Sequence, residues 1–345
     1  MKRKLYAVAS IISCASLLFA CGNSSSNEAS TTASSAKALT ADSSSDAATS
    51  ASAESSSESD TANSSSTEEA SSESSTTATE TSSEDDTIKV VFLGDSQFNN
   101  GREDGTSIAD YVAKMTGTTC YNLGCGGTTA SMPANDEKYS SNDATFVNIV
   151  KYLAGEADES IFDSYDGAQA VASTLDKNDI DYFIIEYGVN DYLNERQISN
   201  TSDGNDNTCY SNAMKNSLSK LQSLYPDAYI LVCTPCYAQF WGSDGSYIGD
   251  GNIVDNGIAT LSDYAANCRS VGETLGLSVF DAYTGQYMNL DSTTASKYLM
   301  SDGIHLTQEG RNTFAAVVAH FINKDRGLDD TTIDTPYDID TYTAS

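Results

Sequence analysis

From residue 88 onward the chain alternates two apolar patterns. Short, mostly apolar runs at 88–93, 119–123, 182–185, 228–232 and 277–280 have the length of strands. Runs of this kind, bounded by turn residues, suit a parallel sheet covered on both faces. Between them, apolar residues return every third or fourth position. Ile108, Tyr111, Val112 and Met115 mark a helix over 106–115, and Tyr210, Met214, Leu218, Leu221 and Leu224 mark another over 209–224. Ile258, Leu261, Ala265, Cys268 and Leu275 mark a third, and Thr307 is placed to cap a last helix whose buried stripe is Phe314, Val317, Val318 and Phe321. Residues 131–170 fit neither pattern. They are rich in polar residues around an apolar piece at 146–153, and predict an insertion with one short helix lying over one side of the sheet. Strands alternating with helices five times predict an α/β fold, a three-layer α/β/α arrangement on a five-stranded parallel sheet with right-handed crossovers.

The first quarter of the chain reads differently. Met1-Lys2-Arg3-Lys4 is a basic start, residues 5–20 are apolar or small, and Cys21 follows. This is the layout of a secretory signal over 1–20. Leu18-Phe19-Ala20-Cys21 resembles a bacterial lipobox, which would make Cys21 the lipidated N-terminus and anchor the protein at the outer face of a membrane; without the lipid the same signal implies secretion. Residues 21–86 are almost entirely Ser, Thr, Ala, Glu and Asp, too poor in large apolar residues to offset the entropy of ordering. They predict a disordered tether with a span of about 45 Å as a flexible coil. The folded region is expected over 87–327, followed by a loose acidic tail over 328–345.

Charge narrows the partners. The formal net charge is −31; residues 1–20 carry Lys2, Arg3 and Lys4 and no acid, so their removal takes it to −34. Such a balance excludes nucleic acid and an anionic membrane surface as electrostatic partners, and favours neutral or cationic substrates. Beyond the signal, Cys120, Cys125, Cys209, Cys233, Cys236 and Cys268 remain. An exported domain permits disulfides, but their pairing is not readable from spacing. Cys233-Thr234-Pro235-Cys236 matches a C-x-x-C redox pattern, a local disulfide or two small buried residues. Neither the cysteines nor the two histidines show zinc spacing, and Asp244, Asp250 and Asp255 do not follow a calcium loop, so no metal or other cofactor is implied.

The chemistry-bearing residues lie where strands run out. Gly94-Asp95-Ser96 follows the first run, Asn122-x-Gly124-x-x-Gly127 the second, and Gly188-x-Asn190-Asp191 the third; Asp302-x-x-His305 precedes the last helix. Ligands of parallel sheets bind beyond the carboxyl ends of the strands. Ser96 needs a base at neutral pH. His305, in a loop, is the candidate, while His320 falls off the apolar stripe of the last helix and reads as a surface residue. Asp302 can hold one ring nitrogen of His305 and stabilise the imidazolium. Alone, Gly-Asp-Ser is a turn. Four such stretches in this order resemble the SGNH (GDSL-type) hydrolase family over about residues 88–323, and G-x-S-x-G is absent at Ser96.

The resemblance implies a flavodoxin-like strand order of 2-1-3-4-5 and a Ser96–His305–Asp302 triad. It also implies an oxyanion hole formed by the N–H groups of Ser96 and Gly124 and the side-chain amide of Asn190. Asp95, Asn122, Gly127 and Asp191 read as shaping their loops. Gln97 departs from the leucine or isoleucine usual after the nucleophile. The function expected is a cell-surface serine esterase removing small acyl groups, acetyl above all, from a small molecule or polysaccharide. Tyr237, Phe240 and Trp241 are candidates to stack on sugar rings. The alternatives are an O-acyltransferase using the same acyl-enzyme and a non-catalytic glycan-binding surface lipoprotein.

Overall fold

The computed structural model describes residues 87–134 and 143–342. The signal over 1–20, Cys21 and the tether to 86 lie outside the described residues, as does part of the insertion at 135–142.

In chain order, β1 (Lys89–Gly94) leads straight into the short helix α1 (Ser96–Asn99), then α2 (Ile108–Thr116) and β2 (Thr119–Asn122). The insertion holds α3 (Phe146–Leu153), a 3₁₀ turn and α4 (Asp166–Ala172), and β3 (Tyr182–Glu186) is followed by α5 (Val189–Leu193). After α6 (Tyr210–Leu224) and β4 (Tyr229–Cys233) comes a two-stranded antiparallel hairpin, β5 (Gln239–Trp241) and β6 (Tyr247–Asp250). The chain closes with α7 (Leu261–Thr274), β7 (Ser278–Phe280), α8 (Ala295–Tyr298), α9 (Gln308–Asp325) and α10 (Ile339–Tyr342).

The five strands expected from the apolar runs form one parallel sheet in the order β2-β1-β3-β4-β7. This is the doubly wound order, with the expected fifth strand standing as β7 because the hairpin intervenes. Val90 to Leu93, Phe183 to Ile185 and Leu231 to Cys233 are fully buried, as a sheet with helices on both faces requires. Gly94 pairs with Glu186 and Glu186 with Cys233, so the central strands end level with one another. That shared end is the rim on which the functional loops sit.

Local chemistry fixes the helices. Ser107 and Asp110 form a reciprocal capping box at the start of α2, and Thr307 accepts from Gly310 N–H at 3.1 Å at the start of α9. On α1, Phe98 is buried edge-on against Phe92 of β1, centroids 5.2 Å apart, and against Phe314 of α9 at 6.2 Å. Burying such a ring contributes roughly 1.5–3 kcal/mol and pins the four-residue helix to the sheet.

Three expectations are corrected. His320 is not at the surface: it is buried on α9, and its Nδ1 meets Asp329 Oδ2 at 2.8 Å. The stretch 328–342, read as part of a loose tail to 345, is tied to the body at Tyr337 and Ile339; residues 343–345 lie outside the described residues. Tyr337 bridges Met288, Ile339 is buried, and Ile339 N–H donates to the Tyr298 hydroxyl at 2.8 Å. The aromatic loop after β4 is largely core, with Tyr237 and Phe240 buried and the segment folded as the β5–β6 hairpin. The six cysteines carry free thiols. Burial pushes the Cys233 and Cys236 thiols far above their ordinary value, which makes both poor nucleophiles. Among the described residues, no helix is long and apolar enough to cross a membrane.

Candidate active site

The end of β1 places Ser96 at the first position of α1. Asp95 caps that helix, its Oδ1 accepting from Gln97 N–H at 3.0 Å. The loop between α8 and α9 brings His305 across. Asp302 Oδ1 accepts from the N–H groups of Ile304 and His305 at 2.9 and 3.0 Å, and Gly303 supplies the left-handed turn between them at φ +74°. A bridge between Leu299 and Leu306 closes the loop.

The result is a continuous chain of bonds. Ser96 Oγ lies 2.9 Å from His305 Nε2, and His305 Nδ1 lies 2.6 Å from Asp302 Oδ2. Residues 209 positions apart in sequence thus meet on one rim of the sheet. Asp302 is partly buried, which favours its neutral form, but the hydrogen bonds from the His305 ring and from the two backbone N–H groups outweigh burial and hold its carboxyl at about 2. In return, the Asp302 hydrogen bond raises the His305 pKa above 6.5, with burial opposing.

The donors expected around the serine are arranged differently from expectation. The N–H of Gly124 is committed to Asn122 Oδ1 at 2.9 Å. Glycine is needed at 124 because a Cβ there would stand 2.7 Å from Cβ of Phe98; the close approach is to α1, not to a ligand. A Cβ on Gly126, by contrast, would stand 3.9 Å from Cβ of Ser96. Among the described residues, the N–H groups of Gly126 and Gly127 meet no acceptor. Asn190 reaches the site, but its side-chain NH₂ already donates to Asp95 Oδ2 and to the carbonyl of Thr128, both at 3.0 Å. Asn122 and Asp191 shape loops as expected. Asn122 Nδ2 donates to Phe98 O at 2.7 Å, and Asp191 accepts from Ala130 N–H, Ser131 N–H and Ser131 Oγ.

Two residues without a motif complete the scaffold. Arg102 donates to the carbonyls of Asn122 and Gly124 at 2.7 and 2.8 Å and so braces the glycine loop. Glu186, at the end of β3, is wholly buried, and its carboxyl faces Asp95 and Asp191. Burial first, then the Asp95 charge, pushes its pKa well above the ordinary range; burial raises Asp95 as well. Arginine after a helix and glutamate at a strand end carry no signal of such roles in sequence.

A hollow of about 260 Å³ is lined by Gly126, Gly127, Thr128, Asp143, Tyr165 and Asn194 among others, and Gly126, on which a Cβ would stand 3.9 Å from that of Ser96, is the residue that links it to the serine. A second, of about 280 Å³, lies around Arg269 and Asp281; Ser96, His305 and Asp302 line neither hollow.

The fold and this rim define a class: a doubly wound α/β hydrolase whose serine stands on no nucleophile elbow. The chain belongs to the GDSL-like Lipase/Acylhydrolase family, whose model matches residues 92–312. No curated protein matches the sequence. Among solved structures, one crystal structure is similar in fold at 18% identity and TM-score 0.51, over 69% of this chain and 97% of that one. A protein from Lactobacillus plantarum (20% identity, TM-score 0.47, 69% of this chain and 97% of that chain) is a more distant likeness in shape. So is Est24, a carbohydrate acetylesterase from Sinorhizobium meliloti (17%, 0.44, 70% and 100%).

Proposed function

We propose that the protein is a serine esterase acting on small acyl esters, acetyl esters of carbohydrate foremost, through an acyl-enzyme. The observation that carries this reading is the unbroken Ser96–His305–Asp302 chain of hydrogen bonds at the strand ends. In it, His305 Nε2 takes the Ser96 hydroxyl proton as Oγ attacks the ester carbonyl. The imidazolium is stabilised by Asp302 and returns the proton to the departing alcohol. Water then enters; His305 removes one of its protons as it attacks the acyl carbon, and Ser96 leaves with that proton as the acid is released. The negative oxygen of each tetrahedral species is met by the N–H of Ser96 and by the N–H groups of the Gly126–Gly127 turn, in place of Gly124. Asn190 contributes by sharing the N–H now held by Thr128 O. A donor aimed in this way is worth roughly 2.7–4 kcal/mol in the transition state.

The substrate side rests on the hollow beside Gly126. Its size suits a small acyl group, and Asn194, Thr128 and Tyr165 offer polar contacts to a hydroxylated alcohol rather than the apolar slot a long acyl chain needs. With Tyr237 and Phe240 in the core, the surface aromatics left to meet a sugar ring are Trp241 and Tyr247, packed at 5.9 Å on the hairpin whose Gln239 N–H donates to Gly303 O. The domain is held at the outer face of a bacterial membrane by a lipid on Cys21 and the tether that follows.

Purified protein should release p-nitrophenol from p-nitrophenyl acetate, and Ser96→Ala should lower kcat by at least ~1000-fold. Equal rates in the two proteins would end the reading. Acetate release across acetylated xylan, mannan, pectin and peptidoglycan then names the polymer, and appearance of an acylated acceptor in place of free acetate would make it a transferase.

A further inference from the structure

Gln97, where the family pattern has an aliphatic residue, is tied into the site. The residue is 2% exposed. Nε2 donates to the carbonyl of Ile304 at 2.8 Å, and Oε1 accepts from the N–H of Leu306 at 3.3 Å. Those two backbone groups flank His305. A single amide, one residue after Ser96, therefore holds both chain neighbours of the imidazole that Ser96 must meet. Among the described residues, these two bonds and the Ser96–His305 contact itself are the hydrogen bonds that join α1 to the loop before α9.

We propose that Gln97 is a positioning residue, which sets the His305 loop in the register where Nε2 meets the serine oxygen. The inference rests on the reading of Ser96 as nucleophile. The loop has its own internal supports: Asp302 on Ile304 and His305, Met300 N–H on His305 O, and Arg311 Nη1 on Leu306 O at 3.1 Å. Arg311 also donates to Thr106 O at 2.8 Å, and Gln239 N–H to Gly303 O at 2.8 Å, so these supports tie the loop to its other neighbours, but none of them bonds to α1 itself. An apolar side chain at 97 would fill the space but leave Ile304 O and Leu306 N–H without their partner, and the loop would lose its side-chain tie to α1 and shift against it. Misplacing a catalytic group by about 1 Å costs on the order of 100-fold in rate.

The test compares the wild type with Gln97→Met, similar in length and without hydrogen-bonding capacity, and Gln97→Leu as a second variant, each at a temperature where circular dichroism shows it folded. Ser96→Ala is the control. Three quantities are read: kcat and KM on p-nitrophenyl acetate, the rate of labelling of Ser96 by a fluorophosphonate, and hydrogen exchange at the Leu306 amide. The expected result is a fall in kcat of about 10- to 100-fold with KM within about twofold, an equal fall in labelling, and exchange at Leu306 at least ~10-fold faster. If Ser96→Ala is inactive while both Gln97 variants keep the wild-type kcat, labelling rate and exchange, the role of Gln97 is overturned and the esterase reading stands. A loss confined to KM would also overturn it, making Gln97 a substrate contact. If Ser96→Ala keeps full activity, or the wild type neither turns over nor labels, the nucleophile falls and this inference with it.

Discussion

Replacing Glu186 by glutamine should stabilise the protein progressively as the pH rises and leave its stability almost unchanged in acid. Glu186 sits between Gly94 and Cys233 in the register of the sheet, wholly buried, with Asp95 and Asp191 buried nearby. Among the described residues, no arginine or lysine bonds to its carboxyl; its partner is the Asp95 carboxyl, to which the protonated Glu186 donates a hydrogen bond. Burial and the Asp95 charge therefore keep its proton on in the native state. In the unfolded chain it loses that proton near its ordinary value of 4.5. Above that pH the native state binds one more proton than the unfolded state, so unfolding free energy declines by about 1.4 kcal/mol per pH unit until the native group also ionises. If the proton is retained throughout, the interval from 4.5 to pH 7 sets a ceiling of about 3 kcal/mol. Glutamine has the same shape, carries no proton to lose, and offers Asp95 an N–H. Urea unfolding of both proteins at intervals from pH 4.5 to 9 measures the difference. It should be near zero at the acid end and widen in favour of Glu186→Gln. Because a neutral amide replaces a neutral acid, kcat/KM at pH 7 should stay within about threefold. A difference that does not vary with pH, or a variant less stable at pH 8, would refute the account of Glu186 as a buried neutral acid.

The remaining predictions concern the His305 loop. The base must be neutral to accept a proton, and Asp302 raises its pKa above 6.5, so the acid limb of kcat/KM should lie above pH 6.5, with activity rising through it. The same shift adds stability that is present below pH 6.5 and lost as pH climbs through the native value. Asp302→Asn should move the limb downward in a pH–rate profile. Gly303→Ala should lower both stability and kcat/KM. The residue sits at φ +74°, which costs a non-glycine residue roughly 1–2 kcal/mol, and its new Cβ would stand 2.0 Å from Cζ3 of Trp241 and 2.4 Å from the carbonyl of Gln239. A urea midpoint equal to that of the wild type and an undiminished rate would show that the hairpin does not press on this loop.

The parts of the molecule legible in sequence are those where residue type and spacing are themselves the constraint. A strand covered on both faces must be apolar throughout, so Val90–Leu93 and Phe183–Ile185 announce themselves, and so does the sheet built from them. The hairpin does not: Gln239-Phe240-Trp241 is three residues long, and its partner strand ends in glycine and aspartate, with nothing to set it apart from a loop. Ser96, Asp302 and His305 are legible because Gly-Asp-Ser, the glycine loop, Gly188-x-Asn190-Asp191 and Asp302-x-x-His305 occur in one order, although each alone reads as a turn. The burial of His320 was not, since it depends on the later chain folding back to bring Asp329 over it.

The glycine loop shows why backbone donors resist the same reading. A backbone N–H has no side-chain signature, so Gly124, Gly126 and Gly127 are interchangeable as letters. What separates them is distant packing. Phe98 wedges between β1 and α9, α1 is drawn over Gly124, and Asn122, gripped by Arg102, takes up the Gly124 N–H. Ser96 stands at the head of the same α1, with Gln97 reaching the loop of His305. One buried ring touches β1, α9 and the glycine loop at once, so a change at Phe98 should disturb the packing on Gly124, the seat of Ser96 and the reach of Gln97 together while the four sequence motifs stay intact.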